Sequence, residues 1–160
     1  MLEVGKNSYV TVQEATEYIN AHYSAKNALC AHWTACPDDY KERYLLKSMQ
    51  EIEALPFVGR KTVWSNELQF PRSLLNAPLY VRNNPVFVLY NRSENKVPQE
   101  VKAAQIENAL GIIRAEYKPT SKATVLASLG LIPPETKESG KLSSKKAETL
   151  LTPFLGAIKA

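Results

Sequence analysis

Residues 97–117 read VPQEVKAAQIENALGIIRAEY. Pro98 suits a first helical turn, where its missing N–H has no partner to lose, and Glu100 complements the positive end of the helix dipole. Ala103, Ile106, Leu110, Ile113 and Tyr117 follow at spacings of 3, 4, 3 and 4, the period of one helix face. This is the clearest helix in the chain, and it sets the expectation of a mainly α protein.

Working outward toward the N-terminus, Thr11-Val12-Gln13-Glu14 has the form of a capping box, so a helix starts there, with Val12, Ala15, Ile19 and Tyr23 on one stripe. A second helix of poor periodicity is expected between Ser24 and Trp33. Cys36-Pro37-Asp38-Asp39 opens a third, which runs to about Leu55 with Leu45, Met49 and Ile52 inward and Tyr44 and Leu55 beside them, until Pro56 and Gly59 end it. Leu79-Tyr80-Val81 and Val86 to Tyr90 are β-prone, and Arg82-Asn83-Asn84-Pro85 between them suits a turn. The reading is a small helical domain over residues 1–118, with a β-hairpin insertion near 79–90 as its only sheet.

The stretch NELQFPRSLL, residues 66–75, holds Phe70-Pro71-Arg72. Proline pushes the residue before it into an extended conformation, so the triplet marks a rigid bend rather than a helix. Phe70 is expected to lock the bend onto the core. Arg72 is expected to meet a carboxylate on a neighbouring helix or subunit as a bidentate pair.

Beyond Lys118 the pattern weakens, with a short apolar patch from Leu126 to Leu131, a stop at Pro133-Pro134 and a polar run over 135–146. Then comes Leu150-Leu151-Thr152-Pro153-Phe154-Leu155. Residues 119–160 read as a basic linker and an extended C-terminal arm, whose Leu150, Leu151, Phe154 and Leu155 either pack back on the domain or dock on another subunit. As an arm, residues 142–160 are expected to be dispensable for folding.

At 160 residues the chain suits one domain with a real core. It shows neither a signal-like apolar start nor a membrane span, and Cys30 and Cys36 are expected to be free thiols in a reducing cytosol. The net charge of +4 is uneven: residues 1–113 hold 12 Lys/Arg against 12 Asp/Glu, and residues 114–160 hold 8 against 4. A basic C-terminal third is either a solvated tail or faces an acidic partner or nucleic acid.

The search for catalysis finds no glycine-rich phosphate loop, GxSxG elbow or HExxH. His22, Cys30, His32 and Cys36 lack the close cysteine spacing of a zinc site, so neither a metal nor a cofactor is expected. Arg72, Arg82, Arg92 and Lys96, interleaved with Tyr80, Phe87 and Tyr90, have the mixture a single-strand binder uses, cations for phosphates and rings for bases. The plainer account, aromatics packed inward from a hairpin and arginines solvated or facing a protein partner, is the favoured one.

Taken in order, Ser8 to Ala15, the central helix, Leu68-Gln69-Phe70-Pro71-Arg72, Val97 to Ala104 and Leu150 to Leu155 resemble tailed-phage head–tail connector proteins. The stretch between the bend and the long helix is longer here than in such relatives. The resemblance implies a non-catalytic virion protein made in the host cytoplasm. It implies a homo-oligomeric ring of commonly about twelve copies, joining the portal to tail or head-closure proteins, with non-specific contact to packaged DNA and no membrane. Interface roles are implied for Phe70, Arg72, Arg82, Arg92, Leu150, Leu151, Phe154 and Leu155. Some similar sequences carry a DnaT-like single-stranded-DNA-binding label, which is the alternative.

Overall fold

The computed structural model describes residues 1–73, 79–81, 84–86, 96–117 and 141–155, with the backbone alone at 79–81, 84–86 and 117. The helices are α1 (Val12–His22), α2 (Ala28–Ala35), α3 (Asp38–Glu53), α4 (Gln99–Tyr117) and α5 (Lys145–Leu151), the last followed by a 3-10 turn, Thr152–Phe154. The protein is thus mainly α-helical with a small antiparallel hairpin. Two short ribbons accompany the helices: β1 (Arg60–Lys61) pairs with β2 (Arg72–Ser73), and β3 (Leu79–Val81) pairs with β4 (Asn84–Val86), both antiparallel. None of the helices in the described residues is long and apolar enough to cross a membrane.

Local chemistry explains most boundaries. Thr11 and Glu14 form the expected reciprocal box at the start of α1. The second helix begins later than expected, because Ser24 to Asn27 closes as a turn and Asn27 caps the helix by accepting the Leu29 amide. The hairpin is tighter than expected: Asn84 and Pro85 lie in the second strand, opposite Val81 and Tyr80, and residues 87–90 lie outside the described set. Both strands of a two-stranded ribbon are edges, so proline is tolerated there. The hairpin is also not the only sheet, since β1–β2 closes the base of the Phe70–Arg72 bend.

α4 is the axis of the fold. The expected stripe is right on one side: Ile106, Leu110 and Ile113 meet Val10, Ala15, Ile19, Trp33 and Leu45. A second face, Val101 and Ala104, packs with Tyr9, Met49, Ile52, Phe70, Leu142, Ala147, Leu151 and Phe154. Between these faces lie three buried polar residues, each bolting down another piece of chain. Gln105 accepts from the Tyr9 amide and donates to Ser8 Oγ and the Leu45 carbonyl, at 2.9, 2.9 and 3.1 Å. Glu107, only 3% exposed, accepts from Tyr18 OH, Tyr23 OH and Lys146 Nζ at 2.9, 2.6 and 2.6 Å. Burial works against the Lys146 ammonium, but the Glu107 carboxylate outweighs it and lifts its pKa to about 12. Asn108 accepts the Ser143 and Ser144 amides at 2.7 and 3.2 Å and donates to Glu51 at 2.9 Å.

The C-terminal segment therefore packs back on the domain, the first of the two readings left open by its sequence. Ser144 caps α5 by accepting the Ala147 amide, Leu151 and Phe154 enter the core, and Leu150 and Leu155 pack against it. Close approach requires Gly111: a Cβ there would lie 2.7 Å from the Ser143 carbonyl carbon and 2.9 Å from Ser144 Cβ. Gly111→Ala is predicted to destabilise by about 1–3 kcal/mol, because overpacking against backbone outweighs the roughly 1 kcal/mol gain in helix propensity. A melting temperature at or above that of the parent would refute this.

Candidate nucleic-acid interface on the Arg60–Arg72 loop

The bend at Phe70–Pro71, a cis peptide, is built as a plug. Phe70 is 2% exposed, and its ring meets Tyr9, Phe57 and Phe154 edge-on with centroids 6.0, 4.9 and 5.4 Å away. Its amide donates to Tyr9 OH at 3.0 Å, Tyr9 OH donates to Glu53 Oε1 at 2.7 Å, and Glu53 also accepts the Gln69 amide at 3.0 Å. Burial raises the pKa of Tyr9 and that of Glu53, in each case the leading cause.

Arg72 is buried and departs from expectation. Among the described residues no carboxylate pairs with it; the guanidinium sits in a ring of carbonyls, donating to Val58 O at 2.8 Å, Gly59 O at 2.7 Å, Phe57 O at 3.2 Å and the side-chain oxygen of Gln69. The reason is topological: pairing of Lys61 with Arg72 across β1–β2 brings the Phe57–Gly59 turn under the arginine, whose planar fork matches convergent acceptors. Burial lowers its pKa. Gly59 supplies the positive φ of 81° that this turn needs.

Arg72 thus braces a loop whose tip projects outward. Thr62 pins the base through its amide and hydroxyl to Pro71 O, each at 3.0 Å, and Lys61 Nζ donates to Asn66 O at 3.0 Å. The Asn66 amide bonds back to Val63 O at 3.2 Å, which turns the chain over Val63-Trp64-Ser65. Trp64 is 91% exposed, Val63 is exposed beside it, and the Arg60 side chain has no partner among the described residues. Arg60, Lys61, Trp64 and Gln69 line an open cleft of about 380 Å³ that ends on Arg72. Glu67 is the only acidic residue between positions 60 and 73. An indole standing in solvent on a pinned turn, with a free guanidinium and an ammonium beside it, can stack a base and meet its phosphates.

Of the residues singled out from sequence, Phe70, Arg72, Leu150, Leu151, Phe154 and Leu155 are gathered in the core around this loop. Val58 N donates to Phe154 O at 2.9 Å, and Phe57 and Leu155 form a β-bridge. Arg82 and Arg92 lie outside the described residues. Trp64, Arg60 and Lys61 were missed; the signal was a lone tryptophan in the polar run Thr62 to Asn66, just after Gly59-Arg60-Lys61. Cys30 and Cys36 are free, and Cys36 Sγ lies 3.2 Å from His32 Nε2. No three His, Cys, Asp or Glu side chains converge among the described residues.

No curated protein matches this chain, and no solved structure does. One family model does, described as "Putative DnaT-like ssDNA binding protein", over residues 2–159. With nearly its whole length matched, the chain belongs to that DnaT-like family.

Proposed function

We propose that the protein binds single-stranded DNA without catalysing a reaction, using the Arg60–Arg72 loop as its contact. The observation that carries this reading is the 91% exposure of Trp64 beside Arg60 and Lys61. An indole held outward by a braced turn beside two cationic side chains has a face that a base matches in size and chemistry. The description of the family supports the same ligand.

The protein's two tryptophans make the test direct. Trp33 is buried, its indole N–H held by Thr16 Oγ1 at 3.0 Å, whereas Trp64 is in solvent. Titration with oligothymidylate is predicted to quench the exposed emission, and Trp64→Ala should weaken binding about 5- to 140-fold, the worth of one stacked base. Unchanged affinity in Trp64→Ala would refute the assignment.

A second reading is a virion adaptor at the head–tail junction, assembled in the host cytoplasm as a ring between portal and tail proteins. The same tip favours it, since exposed Trp and Arg side by side are the residue types that anchor protein interfaces. It expects Trp64→Ala to abolish self-association or portal binding, measured by sedimentation, while oligonucleotide affinity is weak and unaffected.

A further inference from the structure

We propose that the cleft between α4 and α5 is a second phosphate-binding site, used by the backbone of the strand whose base stacks on Trp64; this rests on the single-strand reading above. The cleft, of about 380 Å³, is lined by Tyr23, Glu107, Gly111, Arg114 and residues 143–146. Its existence follows from Gly111, which lets the main chain at Ser143 lie directly on α4. Arg114, one turn further along α4, is thereby brought beside Lys145 and Lys146 at the start of α5.

The charges do not cancel. Lys146 is engaged by Glu107 at 2.6 Å and lies 5.1 Å from the centre of the Tyr23 ring. Two tyrosine hydroxyls satisfy the same carboxylate, so Glu107 has little left to offer a further cation. Arg114 and Lys145 are exposed and have no counter-charge among the described residues. Two unopposed cations over a concave surface fit a phosphodiester, whose two non-bridging oxygens suit the planar fork of the Arg114 guanidinium with an ammonium beside it.

Position supports the same ligand. α5 and its 3-10 turn lead from this cleft to Phe154, whose carbonyl holds Val58 just before Gly59 and Arg60. From Lys145 to Phe154 the rise is about 14 Å, roughly four nucleotides at the spacing of a stacked strand, within the ~4–16 nucleotides that a single-strand module occupies. Thr149 and Thr152 are on the exposed side of this segment, and the half-buried Glu148 is its single acidic residue, against Lys145 and Lys146.

The test compares Arg114→Ala/Lys145→Ala with the charge-keeping Arg114→Lys/Lys145→Arg in the full chain. With oligothymidylate, the neutral pair should flatten the log–log salt slope by about 1.4, two phosphates at ~0.7 each, or roughly 25-fold in affinity at 0.1 M salt, while the charge-keeping pair retains the slope. An unchanged slope in a protein that binds the strand overturns the proposal. If the parent protein binds no oligonucleotide, the single-strand reading fails first, and inorganic pyrophosphate then decides the cleft. A melting-temperature increase in the parent and in Trp64→Ala, lost in the neutral pair, keeps a phosphate site for a free ligand; no increase in the parent overturns it.

Discussion

A chain ending at residue 140 is expected to unfold rather than to shed an arm. Leu142, Leu151 and Phe154 are all buried against Tyr9, Ile52, Phe70 and Ala104, and burial of three such side chains is worth about 5–9 kcal/mol gross. That is comparable to the whole stability of a typical domain, ~5–15 kcal/mol. The truncation also strips Asn108 Oδ1 of two amides and Glu107 of the Lys146 ammonium, its one cation among the described residues, and a buried carboxylate that loses its partner is strongly destabilising. Circular dichroism of the truncated chain should show lost helicity and no cooperative transition. A sharp melt near that of the full chain would mean the segment is an appendage, as its sequence had allowed.

Arg72→Met should produce the second large effect, a loss of about 3–5 kcal/mol. Methionine keeps much of the stem's apolar contact but abandons the carbonyls of Phe57, Val58 and Gly59 and the side chain of Gln69, and buried acceptors without donors cost about 1–3 kcal/mol each before relaxation. Arg72→Lys should recover only part, since one ammonium cannot reach acceptors spread around a planar fork. Chemical denaturation midpoints measure both. An Arg72→Met variant within 1 kcal/mol of the parent would show that the loop braces itself without the arginine. Because Trp64 stands on that loop, its emission should report the loosening below the global transition.

The sequence was legible where one face of an element is apolar and the start is chemically marked. The capping box of α1, Pro37 with its acids before α3, and Pro98 before α4 each place a helix start within a residue or two. Legibility failed where polar residues are internal. Gln105, Glu107 and Asn108 fall off the apolar stripe of α4, yet all three are buried because partners distant in sequence complete them: Ser8, Tyr18 with Tyr23, and Ser143. The same blindness hid α5. Its period, Ala147, Leu150, Leu151 and Phe154, is helical, but Ser144 and two lysines read as the end of a polar linker until Asn108 and Glu107 are seen to receive them. Trp64 escaped for a different reason: stacking on a ligand requires no periodicity, and a single exposed ring leaves no pattern.

Placing α5 nearly thirty residues after α4 sets an order of events during synthesis. α1 to α4 are synthesised before the segment that packs on Val101, Ala104 and Asn108, and residues 118–154 must follow before Leu151 and Phe154 reach them. At ~5–20 residues per second that interval is about 2–7 s. For those seconds the nascent chain carries an open apolar groove, the period in which a chaperone or a second nascent copy meets the same surface that α5 later occupies.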